Sequence, residues 1–176
     1  DNAFAIEGET HQEYLYNLLS KEIKCRKAAR IGKLINSAGF PVQHNFAAFH
    51  PDEVQFPSGV TPESLKALEF FHAGNNLVMY GSTGTGKTML SICIGMEACR
   101  MGIPVKFFRT ASLINQLSET QERGSLAQFH KQLDQADILI LDEFGYVPYH
   151  RTGPPLLFDY LSDLHDKQVL ILNTTL

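Results

Sequence analysis

The fold of this chain is limited most by residues 81–88, which follow the pattern G-x-x-x-x-G-K-T and read Gly81, Ser82, Thr83, Gly84, Thr85, Gly86, Lys87 and Thr88. An apolar run of strand length precedes this stretch at residues 76–80, and residues 89–101 after it have helical character. In a strand–turn–helix of this kind, backbone N–H groups of the turn converge on phosphate oxygens at the positive end of the helix. We therefore predict a cofactor-binding loop for a nucleoside triphosphate, made by all eight residues.

Two side chains at the end of this loop have the chemistry that phosphates and their metal ion require. We expect Lys87 to reach the β- and γ-phosphates as a catalytic cation, and the Thr88 hydroxyl to be a ligand of Mg²⁺. The alternative is a chance glycine turn. All four specified positions of the eight-residue pattern are matched between a predicted strand and a predicted helix, which argues against it.

A second constraint is the sequence I-L-I-L-D-E at residues 138–143. Four consecutive apolar residues predict a strand that is buried on both faces, as in parallel sheets. Asp142 and Glu143 follow at its C-terminal end, where α/β sheets place their ligands. Asp142 suits a carboxylate that holds Mg²⁺ through the metal's water shell, and Glu143 suits a general base that activates the attacking water. The alternative is an ordinary strand that ends in acidic loop residues, and the preceding loop pattern makes it the weaker interpretation.

A polar residue also leaves the last predicted strand, residues 168–172. Asn173 follows this strand directly, so it could lie beside the γ-phosphate and the attacking water as a catalytic sensor. An ordinary turn residue at a strand end is an equally good interpretation.

The charge of the chain is unevenly distributed, although its net value is only −4. Apolar side chains near helical spacing predict a helix over residues 12–38, which ends at Gly39. This helix has a basic segment in which Glu22 is the single acid and the basic residues are Lys21, Lys24, Arg26, Lys27, Arg30 and Lys33. Such a block on an acidic protein favours a polyanionic partner, and we predict that it neutralises phosphates of duplex DNA rather than reading bases. A solvated amphipathic helix that packs on a partner protein is the alternative.

The segments between these motifs carry weaker signals. Residues 43–60 are a predicted linker, and its phenylalanines are expected to dock on the core. One of these phenylalanines, or His50, could instead border an adenine pocket. Thr61 is predicted to cap a helix that runs to residue 72, and Thr110 to cap the helix after the second strand. Residues 145–151 are a predicted loop, and a helix is predicted over 153–165.

Composition predicts neither a membrane protein nor one held by disulfides. The chain has 176 residues, of which 44% are hydrophobic, enough for one domain with a proper core. No apolar run approaches the roughly 20 residues that a membrane span needs, and the first ten residues do not resemble a signal peptide. The three cysteines have no metal-binding spacing. We therefore expect no membrane partner and a reducing, cytoplasmic setting.

Together these motifs make the chain similar to AAA+ ATPases. More narrowly, it resembles the IstB transposition helpers of bacterial insertion sequences, which are relatives of the helicase loader DnaC. The resemblance covers about residues 12–176 and rests on the phosphate-binding loop and on the stretches Y-L-Y-N-L-L at 14–19, A-G-F-P at 38–41 and L-D-E-F-G-Y-V-P at 141–148.

The resemblance implies an α/β fold, a P-loop NTPase three-layer sandwich with a parallel sheet of order 5-1-4-3-2, here ending after the fourth core strand. The N-terminal tail and basic helix would occupy residues 1–42, the linker 43–60, and a C-terminally incomplete AAA+ core 61–176. An arginine finger and a lid, which such proteins have, are not found in this sequence.

The resemblance also implies a site and partners. Lys87 and Thr88 correspond to the Walker A pair, and Asp142 and Glu143 to the Walker B pair, with ATP and Mg²⁺ as cofactors. The family usually ends its last strand T-T-N-L, whereas this chain reads N-T-T-L, so the family's sensor asparagine corresponds to Thr175. The implied partners are duplex DNA, a transposase and further copies of the chain, with ATP at subunit junctions.

The leading hypothesis is therefore a DNA-stimulated ATPase that assembles on DNA and assists a transposase in target selection or transposition. A DnaC-type helicase loader in DNA replication is the alternative with the same chemistry and another protein partner. A small-molecule kinase is disfavoured because Glu143 suits activation of water rather than of a substrate hydroxyl. A nucleotide-gated DNA scaffold with incidental hydrolysis is a further alternative.

Overall fold

The centre of the molecule is a sheet of four parallel strands in the order β1-β4-β3-β2. The computed structural model describes residues 10–51, 54–145, 153–164 and 168–175. In chain order its elements are α1 His11–Ala38, a 3-10 turn Phe46–Ala48, α2 Pro62–Lys66, α3 Glu69–His72, β1 Leu77–Tyr80, α4 Lys87–Arg100, β2 Val105–Arg109, α5 Thr110–Glu122, α6 Leu126–Leu133, β3 Ile138–Phe144, α7 Gly153–Asp163 and β4 Val169–Thr174. The observed strand order agrees with the expected one, of which it contains strands 1, 4, 3 and 2.

Strand β3 lies between β2 and β4, and its side chains point alternately into two cores. Ile138 and Ile140 belong to the core that α1 and α4 cover, whereas Leu139 and Leu141 belong to the core beneath α5, α6 and α7. All four side chains are fully buried. The continuous apolar run therefore forms the doubly covered strand that it predicts, and the layers are helix, sheet and helix.

Helix α1 begins with a capping box in which Thr10 and Glu13 exchange side-chain-to-backbone hydrogen bonds, and it ends at Gly39. Its C-terminal part packs on the core through Leu34, Ile35 and the buried Ala38. Lys106 Nζ of β2 donates to the Ser37 carbonyl oxygen at 2.6 Å. Its N-terminal part exposes large apolar side chains, namely Tyr14, Leu15, Tyr16, Leu19 and Ile23. The predicted helix is thus confirmed, and one end of it is attached to the body of the protein.

The segment that follows α1 is fastened to α4 by the contact between Phe40 and Gly95. A Cβ atom at Gly95 would lie 2.8 Å from two atoms of the Phe40 ring and 2.9 Å from Ile140 Cδ1. Only a residue without a side chain therefore lets the ring approach α4 so closely. Phe40 also packs against Phe107 of β2, with 6.1 Å between ring centroids.

Two local predictions are wrong. The helix expected from Thr61 to residue 72 begins as predicted, with Thr61 as N-cap and Pro62 in the first turn, but it divides into α2 and α3. Leu68 between them has a left-handed backbone with φ 57° and a fully buried side chain, so tertiary packing overrides helix propensity there. Thr110 does not cap α5 but is its first residue.

Three other predictions have clear outcomes. The linker phenylalanines Phe46, Phe49 and Phe56 belong to the first core, which confirms that they dock the linker. Helix α7 covers 153–163 of the expected 153–165. Residues 146–151 of the expected loop lie outside the described residues, as do 146–148 of the D-E-F-G-Y-V-P stretch.

Candidate nucleotide-binding site

The glycine-rich loop of residues 81–86 connects β1 to α4 and leaves the first turn of α4 open. Gly84 and Gly86 have left-handed backbones, with φ 86° and 80°, and a Cβ atom on either would meet nothing within 4 Å. Glycine is therefore needed for the backbone conformation and not for space. Gly86 is the N-cap of α4 and makes no side-chain capping hydrogen bond. The first N–H groups of α4 are left for an external acceptor, for which an anion is the natural ligand.

Lys87 places its charge over this loop. Its Nζ donates to the carbonyl oxygens of Gly81 at 2.8 Å and Ser82 at 2.7 Å, and it lies 3.3 Å from Thr85 Oγ1. The ammonium group and the open end of α4 are thus side by side. This arrangement concentrates positive potential where the loop backbone can surround a phosphate.

Thr88 and Asp142 bring together the first turn of α4 and the C-terminal part of β3. The Thr88 hydroxyl lies 3.0 Å from both carboxylate oxygens of Asp142. Among the described residues no group of three or more His, Cys, Asp or Glu side chains is placed to hold a metal ion. One hydroxyl and one carboxylate fit Mg²⁺, which keeps several waters and takes its remaining ligands from a nucleotide's phosphates.

Asp142 is 5% exposed, and buried polar groups form hydrogen bonds with its side chain and its backbone. Asn173 Nδ2 donates to Asp142 Oδ1 at 2.8 Å and to Ser91 Oγ at 2.9 Å. The Thr110 hydroxyl donates to the Asp142 carbonyl oxygen at 2.8 Å. The carboxylate is therefore fixed by donors on α4 and β4, and its backbone is fixed by α5.

The Glu143 side chain is exposed, unlike that of Asp142, and β3 is irregular at this point. The pairing of β3 with β4 shifts between Leu141 and Phe144, and Glu143 has a left-handed backbone with φ 56°. Its side chain is exposed and makes no hydrogen bond to the part of the chain that the structure describes. A bulge of this kind re-aims a side chain next to a site, here a carboxylate that is available to solvent.

Three of the predicted motifs thus meet at one site, and Asn173 differs from its prediction by lying behind Asp142. Lys87, Thr88 and Asp142 meet around the loop, and Glu143 follows at the strand end. Asn173 is 1% exposed and lies behind Asp142, and its Oδ1 is buried without a hydrogen-bond partner among the described residues. Thr175, two residues later, is exposed.

Sequence reasoning missed two contributors to this site, Ser91 and Thr110. Both are polar and fully buried. Ser91 Oγ donates to the Thr88 carbonyl oxygen at 2.9 Å and accepts from Asn173, so it links α4 to β4. The available signal was a serine within an otherwise apolar part of α4 and a threonine directly after a strand.

The basic segment of α1 lies away from this loop. Its residues Arg26, Lys27 and Arg30 are near Arg100, the last residue of α4, whereas Lys87 is the first. A helix of 14 residues separates its ends by about 20 Å. Arg26 Nε pairs with Glu22 Oε1 at 2.7 Å, and no other basic residue of this segment forms an ion pair within the described ranges.

Comparison with known proteins identifies the family. The model of the IstB-like ATP binding proteins matches residues 6–176. The chain belongs to this family. An IstB-like relative named as an ATP-binding protein of insertion sequence IS5376, from Geobacillus stearothermophilus, is 28% identical over 98% of this chain and 70% of its own length. A second, named for insertion sequence IS21 of Pseudomonas aeruginosa, is 29% identical over 93% of this chain and 62% of its own length.

Solved structures show the same fold. The DnaC helicase loader matches 75% of this IstB-like chain and 76% of its own, with a TM-score of 0.60 and 24% identity. The structure of AMPPCP-bound DnaA from Aquifex aeolicus matches 77% of this chain and 43% of its own, with a TM-score of 0.64 and 24% identity. The architecture is thus that of the P-loop AAA+ proteins. Within the described residues, no helix is both long and apolar enough to cross a membrane.

Proposed function

We propose that this ATP-binding chain binds ATP together with Mg²⁺ at residues 81–88 and hydrolyses it. The observation that carries the proposal is the contact of Thr88 with Asp142, which joins a phosphate-binding loop to a buried carboxylate at 3.0 Å. When bound, Mg²⁺ would supply positive charge that neutralises the negative charge developing during phosphoryl transfer. Thr88 and Asp142 are the residues that would hold it.

Lys87 and Glu143 have complementary roles in this proposal. Lys87 exchanges its loop carbonyls for phosphate oxygens and so binds the β- and γ-phosphates. Glu143 is exposed beyond Asp142, free to orient a water molecule and accept its proton. The separation of these tasks explains why one carboxylate is buried and fixed while its neighbour is exposed.

Asn173 supports this chemistry by positioning Asp142. Its amide nitrogen donates to the carboxylate and to Ser91 Oγ, which ties Asp142 to α4, and its burial keeps it behind the site. Thr175, which is exposed and directly follows β4, is the candidate for direct contact with the γ-phosphate or the attacking water, since the family resemblance aligns it with the sensor asparagine.

For the biological role, we propose assembly of several copies on duplex DNA and assistance to a transposase. Two facts support this role over helicase loading. The curated relatives described above are named for insertion sequences, and the DnaC likeness, at 24% identity, concerns the fold. The basic segment of α1, with Lys21, Lys24, Arg26, Lys27, Arg30 and Lys33, provides the proposed DNA contacts.

The deciding experiment measures ATP turnover and particle size with and without duplex DNA, on the chain and on its Glu143→Gln variant. We expect DNA to raise turnover and ATP to raise particle size. The variant should keep ATP-dependent assembly and lose turnover. Normal turnover in the variant would reject the assignment of Glu143, and DNA-independent turnover and size would reject assembly on DNA.

A further inference from the structure

A cleft of about 360 Å³ lies between α1 and the C-terminal end of α4. Two elements that are some 70 residues apart in sequence form it, and its lining residues include Arg26, Lys27, Arg30 and Ile31 from α1 with Arg100 and Met101 from the end of α4. Four of these side chains carry a positive charge. The sequence pattern indicated the charges on α1, but the contribution of α4 is visible only in the structure.

The charges in this cleft are only partly neutralised. Arg26 pairs with Glu22, and Arg100 pairs with Glu97, each within its own helix. Lys27 and Arg30 form no ion pair with any residue that the structure describes. The cleft therefore keeps an excess positive charge on a chain whose net charge is −4, and it attracts anions locally.

The hydrogen-bond donors available in the cleft are side chains, and apolar side chains line it as well. The N–H groups of Met101, Gly102 and Ile103 close the end of α4 by donating to the carbonyl oxygens of Glu97, Cys99 and Ala98, respectively. Ile31 and Met101 contribute apolar surface, and Met101 is 51% exposed. A lining that combines cationic and apolar side chains suits a polymer that alternates phosphates with sugars. Because charged side chains are the donors, binding would depend on charge and not on base sequence.

We propose that this cationic cleft binds backbone phosphates of a nucleic acid, and that Arg100 of α4 is one of the phosphate contacts. The inference rests on the proposed DNA binding by α1 and extends it to a residue of the nucleotide-binding core. The basic residues continue along α1 beyond the cleft at Lys21, Lys24 and Lys33, so positive charge extends over about three turns of the helix. This extent favours a long polyanion over a short acidic segment of a protein.

The test uses two arginine–glutamate pairs of equal charge. Arg100, which lines the cleft, pairs with Glu97, and Arg123, which does not line it, pairs with Glu119 of α5. Affinity for one labelled duplex is measured from about 50 to 200 mM salt. Arg100→Gln should lower affinity about fivefold to tenfold near 100 mM salt and reduce the salt slope by about 0.9, the effect of one lost phosphate contact. Arg123→Gln makes the same change in net charge and should leave both quantities close to the parent's.

Substitution of the cleft arginine's glutamate partner should change duplex affinity in the opposite direction. Glu97→Gln removes a neighbouring acid and releases Arg100, so duplex affinity should rise a few-fold, whereas Glu119→Gln should not change it. Thermal unfolding of all four variants shows whether each is folded. Equal behaviour of folded Arg100→Gln and Arg123→Gln would overturn the inference.

Two further arms separate the possible failures. If Lys24→Gln lowers the slope and Arg100→Gln does not, α1 binds DNA and the cleft does not take part. If the parent chain shows no salt-dependent DNA binding, the proposed function fails as well. Polyglutamate serves as a probe of acidic protein segments, and a variant Arg100→Gln that weakens polyglutamate binding but not DNA binding would overturn the inference in favour of a protein partner.

Discussion

The amide nitrogen of Asn173 lies 2.8 Å from a carboxylate oxygen of Asp142, and both side chains are buried. The same nitrogen is 2.9 Å from the hydroxyl oxygen of Ser91, whose O–H in turn donates to the Thr88 carbonyl oxygen. Strand β4, helix α4 and strand β3 therefore meet in one polar network beneath the loop. The network fixes the carboxylate in the orientation that the Thr88 hydroxyl also contacts, so the proposed metal-binding pair is organised before any ligand arrives.

Replacement of Asn173 by leucine should weaken binding of ATP with Mg²⁺ more than binding of ATP alone. Leucine keeps roughly the volume and removes a hydrogen bond to a charged group, which is worth about 1.5–3 kcal/mol. We expect about a tenfold or greater loss of affinity in the presence of Mg²⁺. Titration of a fluorescent ATP analogue with and without Mg²⁺ measures it. Equal losses in the two titrations would mean that Asn173 does not act through Asp142.

Lys87→Ala should abolish tight nucleotide binding because the phosphates lose their nearest cation. The variant also loses the hydrogen bonds to the Gly81 and Ser82 carbonyl oxygens, so its folding is checked by circular dichroism. Calorimetric titration with ATP is the measurement. Lys131→Ala, a change of one exposed lysine on α6, is the control and should bind like the parent. A folded Lys87→Ala protein with parental affinity would contradict the proposed site.

Two changes at Glu143 separate catalysis from backbone strain. Glu143→Gln should keep nucleotide affinity and lose turnover. Glu143→Gly should also lose turnover but raise the free energy of unfolding by up to about 1 kcal/mol, because glycine adopts the observed φ of 56° without the steric cost. Urea unfolding and ATP turnover are measured on both variants. A Glu143→Gly protein that is less stable than Glu143→Gln would refute the strain argument.

Two helical glycines should respond to alanine in opposite ways. At Gly32 of α1 a Cβ atom meets nothing within 4 Å, so Gly32→Ala should stabilise the fold by about 1 kcal/mol through helix propensity. At Gly95 the Cβ atom would lie 2.8 Å from the Phe40 ring, and overpacking costs about 1–3 kcal/mol, so Gly95→Ala should be destabilising. Urea unfolding compares the two. A stabilised Gly95→Ala variant would show that Phe40 does not need this close approach.

Thiol reactivity should distinguish the cysteines. Cys25 is exposed, whereas burial raises the pKa of Cys93 and of Cys99 from 9.0 to about 11. At pH 8 a thiol-specific reagent should label Cys25 alone until the protein unfolds.

Because the unfolded thiols ionise near pH 9 and the folded ones near 11, the unfolded state loses protons first. The free energy of unfolding should therefore fall between about pH 9 and 11, and Cys93→Ala should reduce that fall.

Much of this arrangement could be predicted from local patterns because the physics behind it is local. The loop needs glycines at fixed positions, and a strand covered on both faces needs continuous apolar residues, so both leave marks in the sequence. The split of the 61–72 helix at Leu68 could not be predicted, because it depends on where the core accepts that side chain. Ser91 and Thr110 were missed for the same reason. A buried hydroxyl has a role only through a partner that the fold brings to it, here Asn173 and Asp142.

Helix α4 starts with Lys87 and ends with Arg100, so the candidate nucleotide site and the cationic cleft are the two ends of one rod about 20 Å long. Phe40, seated on Gly95, fastens the end of α1 to the middle of the same rod. If nucleotide binding displaces α4, the geometry of the cleft changes with it. The two sites are then linked by a coupling free energy. Such coupling is reciprocal: the factor by which ATP changes affinity for nucleic acid must equal the factor by which nucleic acid changes affinity for ATP.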